Sequence, residues 1–120
     1  MVLVDTAVWI DHLRNHSTAL DDLLQRGLVL AHPLVIGELA CGNLKNRSEI
    51  LNLLQALPQA KAAGQEEILS FIETHTLQGK GMGLIDVHLL AAALLNHCPL
   101  WTLDKTLAGF ATLLRVAYHA

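Results

Sequence analysis

Aromatic residues are scarce in this chain, with two Trp, one Tyr and two Phe among 120 residues. Stacking of several nucleobases on aromatic platforms is therefore a poor model for anything it does. Charge is sparse as well, at 16% of residues against roughly 25% in an average soluble protein. There is no basic excess. The formal net charge is −3, so the global signature of a nucleic-acid-binding protein is missing. Cysteine is limited to Cys41 and Cys98, enough for one bridge at most. Both lie among apolar neighbours, and the expectation is two buried free thiols. Long hydrophobic runs are also lacking. The longest stretch without Asp, Glu, Lys or Arg, residues 87–103, is interrupted by His88, Asn96, His97 and Pro99, whereas a spanning helix needs about 20 mainly apolar residues. Met1-Val2-Leu3-Val4-Asp5 has no basic n-region and no cleavage site, so a cytoplasmic location away from membranes is expected.

What is present is apolar side chain, at 52% of residues. That excludes disorder as the main state, and the length suits one domain over residues 1–120. Val2-Leu3-Val4 reads as a buried parallel strand. Helical periodicity follows from Ala7 to Leu13. Ser17 caps a second helix with Leu20, Leu23 and Leu24 on one face, and Gly27 stops it. Leu28 to Ala31 is a second strand. Pro33 opens a helix that carries Glu38 and ends near Gly42-Asn43. Asn46 or Ser48 caps the next helix, which Pro58 ends. Gln59 to Ala63 is a weak strand. Gln65 to Thr76 is helical, with Ile68, Leu69 and Ile72 inward. The glycine-rich stretch Gly79-Lys80-Gly81-Met82-Gly83 is a turn leading into a helix over Leu84 to Asn96. Pro99 to Leu103 is a strand ending at Asp104, Lys105 to Leu114 is the last helix, and Val116 to Tyr118 is an edge strand. Strands alternate with helices, so the class is α/β with a mostly parallel sheet. In such sheets the chemistry gathers beyond the carboxyl ends of the strands, where Asp5 and Asp104 fall.

Asp5, Glu38, Asp86 and Asp104 each sit in a locally apolar stretch. A buried carboxylate must be hydrogen-bonded, protonated or paired with a cation. Three of them have a plain alternative as helix caps: Asp5 before the first helix, Asp86 in a first turn after Gly83, and Asp104 before the last helix. Glu38 lies inside its helix and does not fit that reading. Four acids so placed point to one shared site. Clustered carboxylates repel, and a hard divalent ion such as Mg²⁺ or Mn²⁺, which prefers oxygen ligands, relieves the repulsion. Such an ion activates water and offsets charge on a phosphoryl oxygen.

The chain resembles the PIN domain family, and within it the toxins of VapBC toxin–antitoxin pairs. The likeness rests on Val2-Leu3-Val4-Asp5-Thr6-Ala7-Val8-Trp9-Ile10 and on Pro33-Leu34-Val35-Ile36-Gly37-Glu38-Leu39. Residues 81–91 around Asp86 and Leu100-Trp101-Thr102-Leu103-Asp104 complete it. The resemblance implies a Rossmann-like α/β/α sandwich with a central, mostly parallel sheet. It implies an endoribonuclease dependent on Mg²⁺ or Mn²⁺ that cleaves tRNA or rRNA and so inhibits translation. Asp5, Asp86 and Asp104 then hold the metal, Glu38 holds it or orients a water, and metal-activated water attacks the phosphodiester. Asp104 stands at the family's most variable acidic position. Thr6 and Thr102 match hydroxyl positions beside the acids, and His88 falls in the third motif as a support or a packed core histidine. The partners implied are an antitoxin protein, RNA, and a second toxin copy in a homodimer or hetero-oligomer. In the family the antitoxin lies across the first helices, here an apolar groove with Val8, Trp9, Leu13, Leu20, Leu23 and Leu24.

The remaining features carry less. Arg14, Lys45, Arg47, Lys80 and Lys105 are candidates for RNA phosphates, which position a strand without reading it. His12 and His16 are spaced like two zinc ligands on one helix, but no Glu of the HExxH pattern accompanies them. The glycine-rich stretch matches neither GxGxxG nor GxxxxGKS. A phosphoacceptor receiver domain needs an acidic pair after the first strand and a mid-chain Asp, where this chain has a lone Asp5 and Leu51-Asn52-Leu53-Leu54. An aspartyl phosphatase needs Asp-x-Asp, and position 7 is Ala7. The better alternative is a catalytically inactive PIN fold that binds RNA or protein. The four acids also bear on the net charge, since without them seven acids face eight basic residues.

Overall fold

The β-branched run at the start of the chain becomes the middle of a parallel sheet. The computed structural model describes residues 1–120. Strand β1 (Val2–Val4) lies between β2 (Val29–Leu30) and β3 (Leu100–Trp101). Val2 pairs with Val29 and Leu3 with Leu30 on one side. Leu3 pairs with Leu100 and Val4 with Trp101 on the other, all in parallel. Every residue of the three strands is buried, which is why they read as unbroken apolar runs. The two expected outer strands shrink to single parallel bridges, Ala31 with Gln59 and Leu100 with Ala117.

Seven helices cover the sheet: α1 (Thr6–Asn15), α2 (Thr18–Gln25), α3 (Pro33–Cys41), α4 (Arg47–Ala56), α5 (Gln65–His75), α6 (Leu84–Leu95) and α7 (Lys105–Leu113). The architecture is an α/β sandwich, as the alternation of elements predicts. A cluster of 27 buried apolar residues forms its core, with α6 supplying six of them. Val8, Trp9, Leu20 and Leu23 belong to this core. The groove expected between α1 and α2 is therefore filled by packing, and of that set only Leu13 is exposed. Leu69, expected to face inward, is 57% exposed while Ile68 is buried. Cys98 is buried, but Cys41 at the end of α3 is exposed, and both are free. No helix is long and apolar enough to cross a membrane.

The caps explain the helix boundaries. The Ser17 hydroxyl accepts from the Leu20 N–H at 3.2 Å, and Gly27 turns the chain with φ of 69°, a region glycine enters without steric penalty. Asn46 occupies the expected cap of α4, but in the left-handed conformation and without a side-chain bond. His32 caps α3: its Nδ1 accepts from the Leu34 N–H at 3.0 Å. The ring is wholly buried, and its Nε2 has no partner. It meets the His88 ring edge-on with centroids 6.4 Å apart.

Burial, and secondly the nearby His88, push the His32 imidazole down from 6.5 to about 4. The native state therefore keeps His32 neutral at pH values where the unfolded chain protonates it. Stability falls as pH drops through 6.5, and the loss from this residue levels off near pH 4 at about 3 kcal/mol. Urea unfolding at pH 7 and pH 5 checks this. The His32→Asn variant, which retains a capping acceptor, is expected to lose much of the pH dependence in that window.

Candidate active site

Three aspartates occupy helix N-termini at the carboxyl edge of the sheet, so each meets backbone N–H groups and the positive end of a helix dipole. Asp5 follows β1 directly and caps α1. Its Oδ1 accepts from the Thr6 N–H at 2.7 Å, and its Oδ2 accepts from the Thr102 hydroxyl at 2.7 Å. It is 7% exposed, and His32 is the only other buried polar residue in the chain. Asp104 follows β3 and caps α7, its Oδ2 accepting from the Leu107 N–H at 2.8 Å. Asp86 sits in the first turn of α6, where its Oδ2 accepts from the Gly83 N–H at 3.1 Å. The capping role anticipated for each aspartate is real. It uses one oxygen on Asp86 and one on Asp104.

Glu38 has no such role. It projects from the middle of α3, and its Oε1 accepts from the Thr6 hydroxyl at 2.6 Å. Thr6 thus donates its backbone N–H to Asp5 and its hydroxyl to Glu38. Thr102 performs the matching task on the other side. Its hydroxyl donates to Asp5, and its oxygen accepts from the Asp104 N–H at 3.1 Å. A continuous chain of hydrogen bonds runs from Glu38 through Thr6, Asp5 and Thr102 to Asp104. Asp86 joins through the electric field. Burial raises its carboxyl above the ordinary value, the Gly83 bond opposes this, and repulsion from Asp5 and Asp104 raises it further.

The donor set is all oxygen, and the carboxylates repel one another. Both features fit a hard divalent cation. No three acidic, His or Cys side chains close tightly around one point. A cation that keeps several of its waters, as Mg²⁺ does, suits so open an arrangement. Asp86, Asp104 and Glu38 each retain an oxygen that accepts no hydrogen bond within the chain and is available to a cation.

His88 lies half-buried against His32, and its Nδ1 donates to no carboxylate. His12 is occupied locally, with Nδ1 accepting from the Ser17 N–H at 3.1 Å. The five basic candidates separate. Arg47 is spent on the carbonyls of Ala40 and Gly42, closing the C-terminal end of α3. Lys80 is exposed in the loop before α6, and Lys105 is the exposed first residue of α7. Arg14 and Lys45 line one groove together with Glu38. Leu13 of the expected apolar set lines that groove, but its apolar companions there, Ile10, Leu44 and Ile50, are what sequence reasoning missed. The groove is assembled from α1 and the segment running from α3 into α4, and no local pattern marks it.

Thr102→Val removes a hydrogen bond from a buried carboxylate. It is expected to lower stability by about 2 kcal/mol in urea unfolding, with Thr102→Ser restoring most of the loss. Asp86→Asn keeps the cap acceptor and removes the repelled charge, so the metal-free variant is expected to melt above the wild-type chain.

Comparison with known proteins assigns the chain to a family. The PIN domain family model matches residues 2–113. Ribonuclease VapC32 from Mycobacterium tuberculosis is 44% identical over 108 residues, covering 89% of this chain and 87% of that protein, in both the H37Rv and the CDC 1551 / Oshkosh strains. The four-acid arrangement at the carboxyl edge of a parallel sheet thus stands in a chain that belongs to the PIN domain family, among its VapC ribonucleases.

Proposed function

We propose that this chain is a Mg²⁺- or Mn²⁺-dependent endoribonuclease, the toxin of a toxin–antitoxin pair, cleaving structured cellular RNA such as tRNA or rRNA and so inhibiting translation. The observation that carries the reading is the hydrogen-bonded chain Glu38–Thr6–Asp5–Thr102–Asp104, with Asp86 repelled by two of its members. A purely structural set of caps has no reason to include Glu38 or to tolerate that repulsion.

When bound, the metal ion supplies activation of a water and charge stabilisation at the phosphoryl oxygens. Asp5 is the fixed point, because both its oxygens are held and its position is set by β1. Asp86, in the first turn of α6, and Asp104, the cap of α7, would hold the ion through the oxygens their capping bonds leave free. Glu38, anchored by Thr6 through one oxygen, has the other free to orient a water or take its proton. Thr6 and Thr102 position these carboxylates and touch no reacting atom. A cognate antitoxin is the expected partner, and a homodimer or toxin–antitoxin hetero-oligomer is the expected assembly.

The test is induced expression in a bacterium, with wild type beside Asp5→Asn and Asp86→Asn, followed by mapping of new RNA 5′ ends. Wild type is expected to arrest growth and to cleave RNA only with Mg²⁺ or Mn²⁺. Each variant is expected to stay folded and to lose roughly a hundred-fold or more in cleavage rate. A folded Asp5→Asn protein with undiminished cleavage overturns the reading. A wild-type chain with neither arrest nor metal-dependent cleavage leaves the inactive binding module in its place.

A further inference from the structure

Nε2 of His32 and Nδ1 of His88 are buried nitrogens without a partner in the chain, and the cleavage chemistry uses neither. His32 caps α3, is wholly shielded from water, and accepts at Nδ1 from the Leu34 N–H at 3.0 Å. Burial and the nearby His88 keep this ring neutral well below pH 7. A neutral ring that accepts at Nδ1 carries its proton at Nε2, so that nitrogen is a donor. The neutral His88 ring holds its proton on one nitrogen, and with it on Nε2 the buried Nδ1 is an acceptor. Leaving both groups unsatisfied costs more than a typical hydrogen bond gains. The rings meet edge-on with centroids 6.4 Å apart. Imidazole nitrogens lie about 1.1 Å from the ring centre, so these two stand at least about 4 Å apart, beyond the roughly 3.2 Å reach of a direct bond. One water spans that distance, and a water with two or more polar partners is an ordinary part of a protein interior.

The place of the pair bears on the site. His32 opens the helix that carries Glu38, and His88 lies two residues after Asp86 on α6. α3 packs chiefly on α1 and α4, whereas α6 packs on α5, α7 and β3. Asp86 is also the one acid of the four that no side-chain hydrogen bond ties to the others. We infer that one buried water bridges His32 and His88, accepting from Nε2–H and donating to Nδ1, and that this bridge holds α3 to α6 and sets where Asp86 stands relative to Glu38. Both histidines are positioning residues and touch no reacting atom. The bridge is independent of the nuclease reading, and its consequence for metal binding rests on that reading.

The experiment has two metal-free arms and one with metal. Proton–nitrogen spectra of the ¹⁵N-labelled chain in EDTA at pH 7 are expected to show both rings protonated at Nε2 and bare at Nδ1. The His32 Nε2–H is expected to give a nuclear Overhauser effect to water of the sign that marks a long-lived bound molecule. His88 protonated at Nδ1 overturns the bridge, and so does a His32 Nε2–H without that effect. The second arm is a double-mutant cycle in urea. His32→Asn keeps the cap acceptor and removes the Nε2–H, and His88→Leu removes the other end. Each single variant strands one group, so the double variant is expected to unfold at a midpoint no lower than the worse single. Additive losses overturn the coupling. His88→Asn, whose amide oxygen takes the place of Nδ1, is expected to restore most of the His88→Leu loss. The third arm titrates Mn²⁺, followed by its electron paramagnetic resonance signal. His88→Leu and His32→Asn are each expected to bind it about ten-fold more weakly, and His88→Asn within about two-fold of wild type. Unchanged Mn²⁺ affinity in both weakened variants overturns the positioning role. A wild-type chain that binds no Mn²⁺ counts instead against the metal-dependent nuclease, and the first two arms still decide the bridge.

Discussion

Asp5 ends the central strand with its carboxylate almost wholly shielded from water, and the rest of the site is arranged around that fact. An ionised group in such a place is stable only if its oxygens are satisfied. The Thr6 N–H and the Thr102 hydroxyl satisfy them, one from the helix that follows β1 and one from the end of β3. Each threonine then reaches a second acid, Glu38 through the Thr6 hydroxyl and Asp104 through the Thr102 oxygen. The solvation of one buried charge therefore fixes where two other carboxylates stand. The sheet register makes this possible, because pairing Val4 with Trp101 brings Thr102 level with Asp5.

The same aspartates serve stability and charge concentration at once. A capping aspartate stabilises its helix through N–H groups and the dipole. Asp104 on α7 and Asp86 on α6 gain in that way. Yet the helices they cap begin at the same edge of the sheet, so the charges are driven together. Asp86 carries the result, with Asp5 and Asp104 both acting against its ionised form. A fold that needed only caps had Ser, Thr or Asn available at these positions, as it uses Ser17 on α2.

Much of this is legible in the sequence, for identifiable reasons. The three strands show because each is buried on both faces and lacks polar interruption. The two outer ones are overextended in the sequence reading because an edge segment needs only one bridge. The four acids show because each is out of place among apolar neighbours. Ile68 and Leu69 are adjacent apolar residues on one turn of α5, and periodicity alone does not say which of them meets the next layer. Ile68 takes the inward place and Leu69 faces water. Cys41 is exposed because α3 ends at the surface, which composition does not reveal. The groove beside Glu38 is invisible in the sequence because its floor joins residues from α1 with others some thirty positions later.

The net charge illustrates how an average misleads. A total of −3 argues against a polyanionic partner only if charge is spread evenly. In this structure it is not. Four acids are gathered at one edge, three of them anchored by backbone N–H groups, and a divalent ion there would offset two of their charges. The basic residues are few, but almost none is cancelled by a neighbouring carboxylate, since the one ion pair, Arg26 with Asp22, is an exposed contact one turn apart on α2. A cation outside an ion pair is felt mainly within about 8 Å at physiological salt, the distance over which the ions in solution attenuate its field. That range takes in whatever lies directly beside Arg14 and Lys45, but little beyond it. Recognition by such a surface is local and contact-dependent. It is sensitive to the placement of two side chains and indifferent to the sign of the whole molecule.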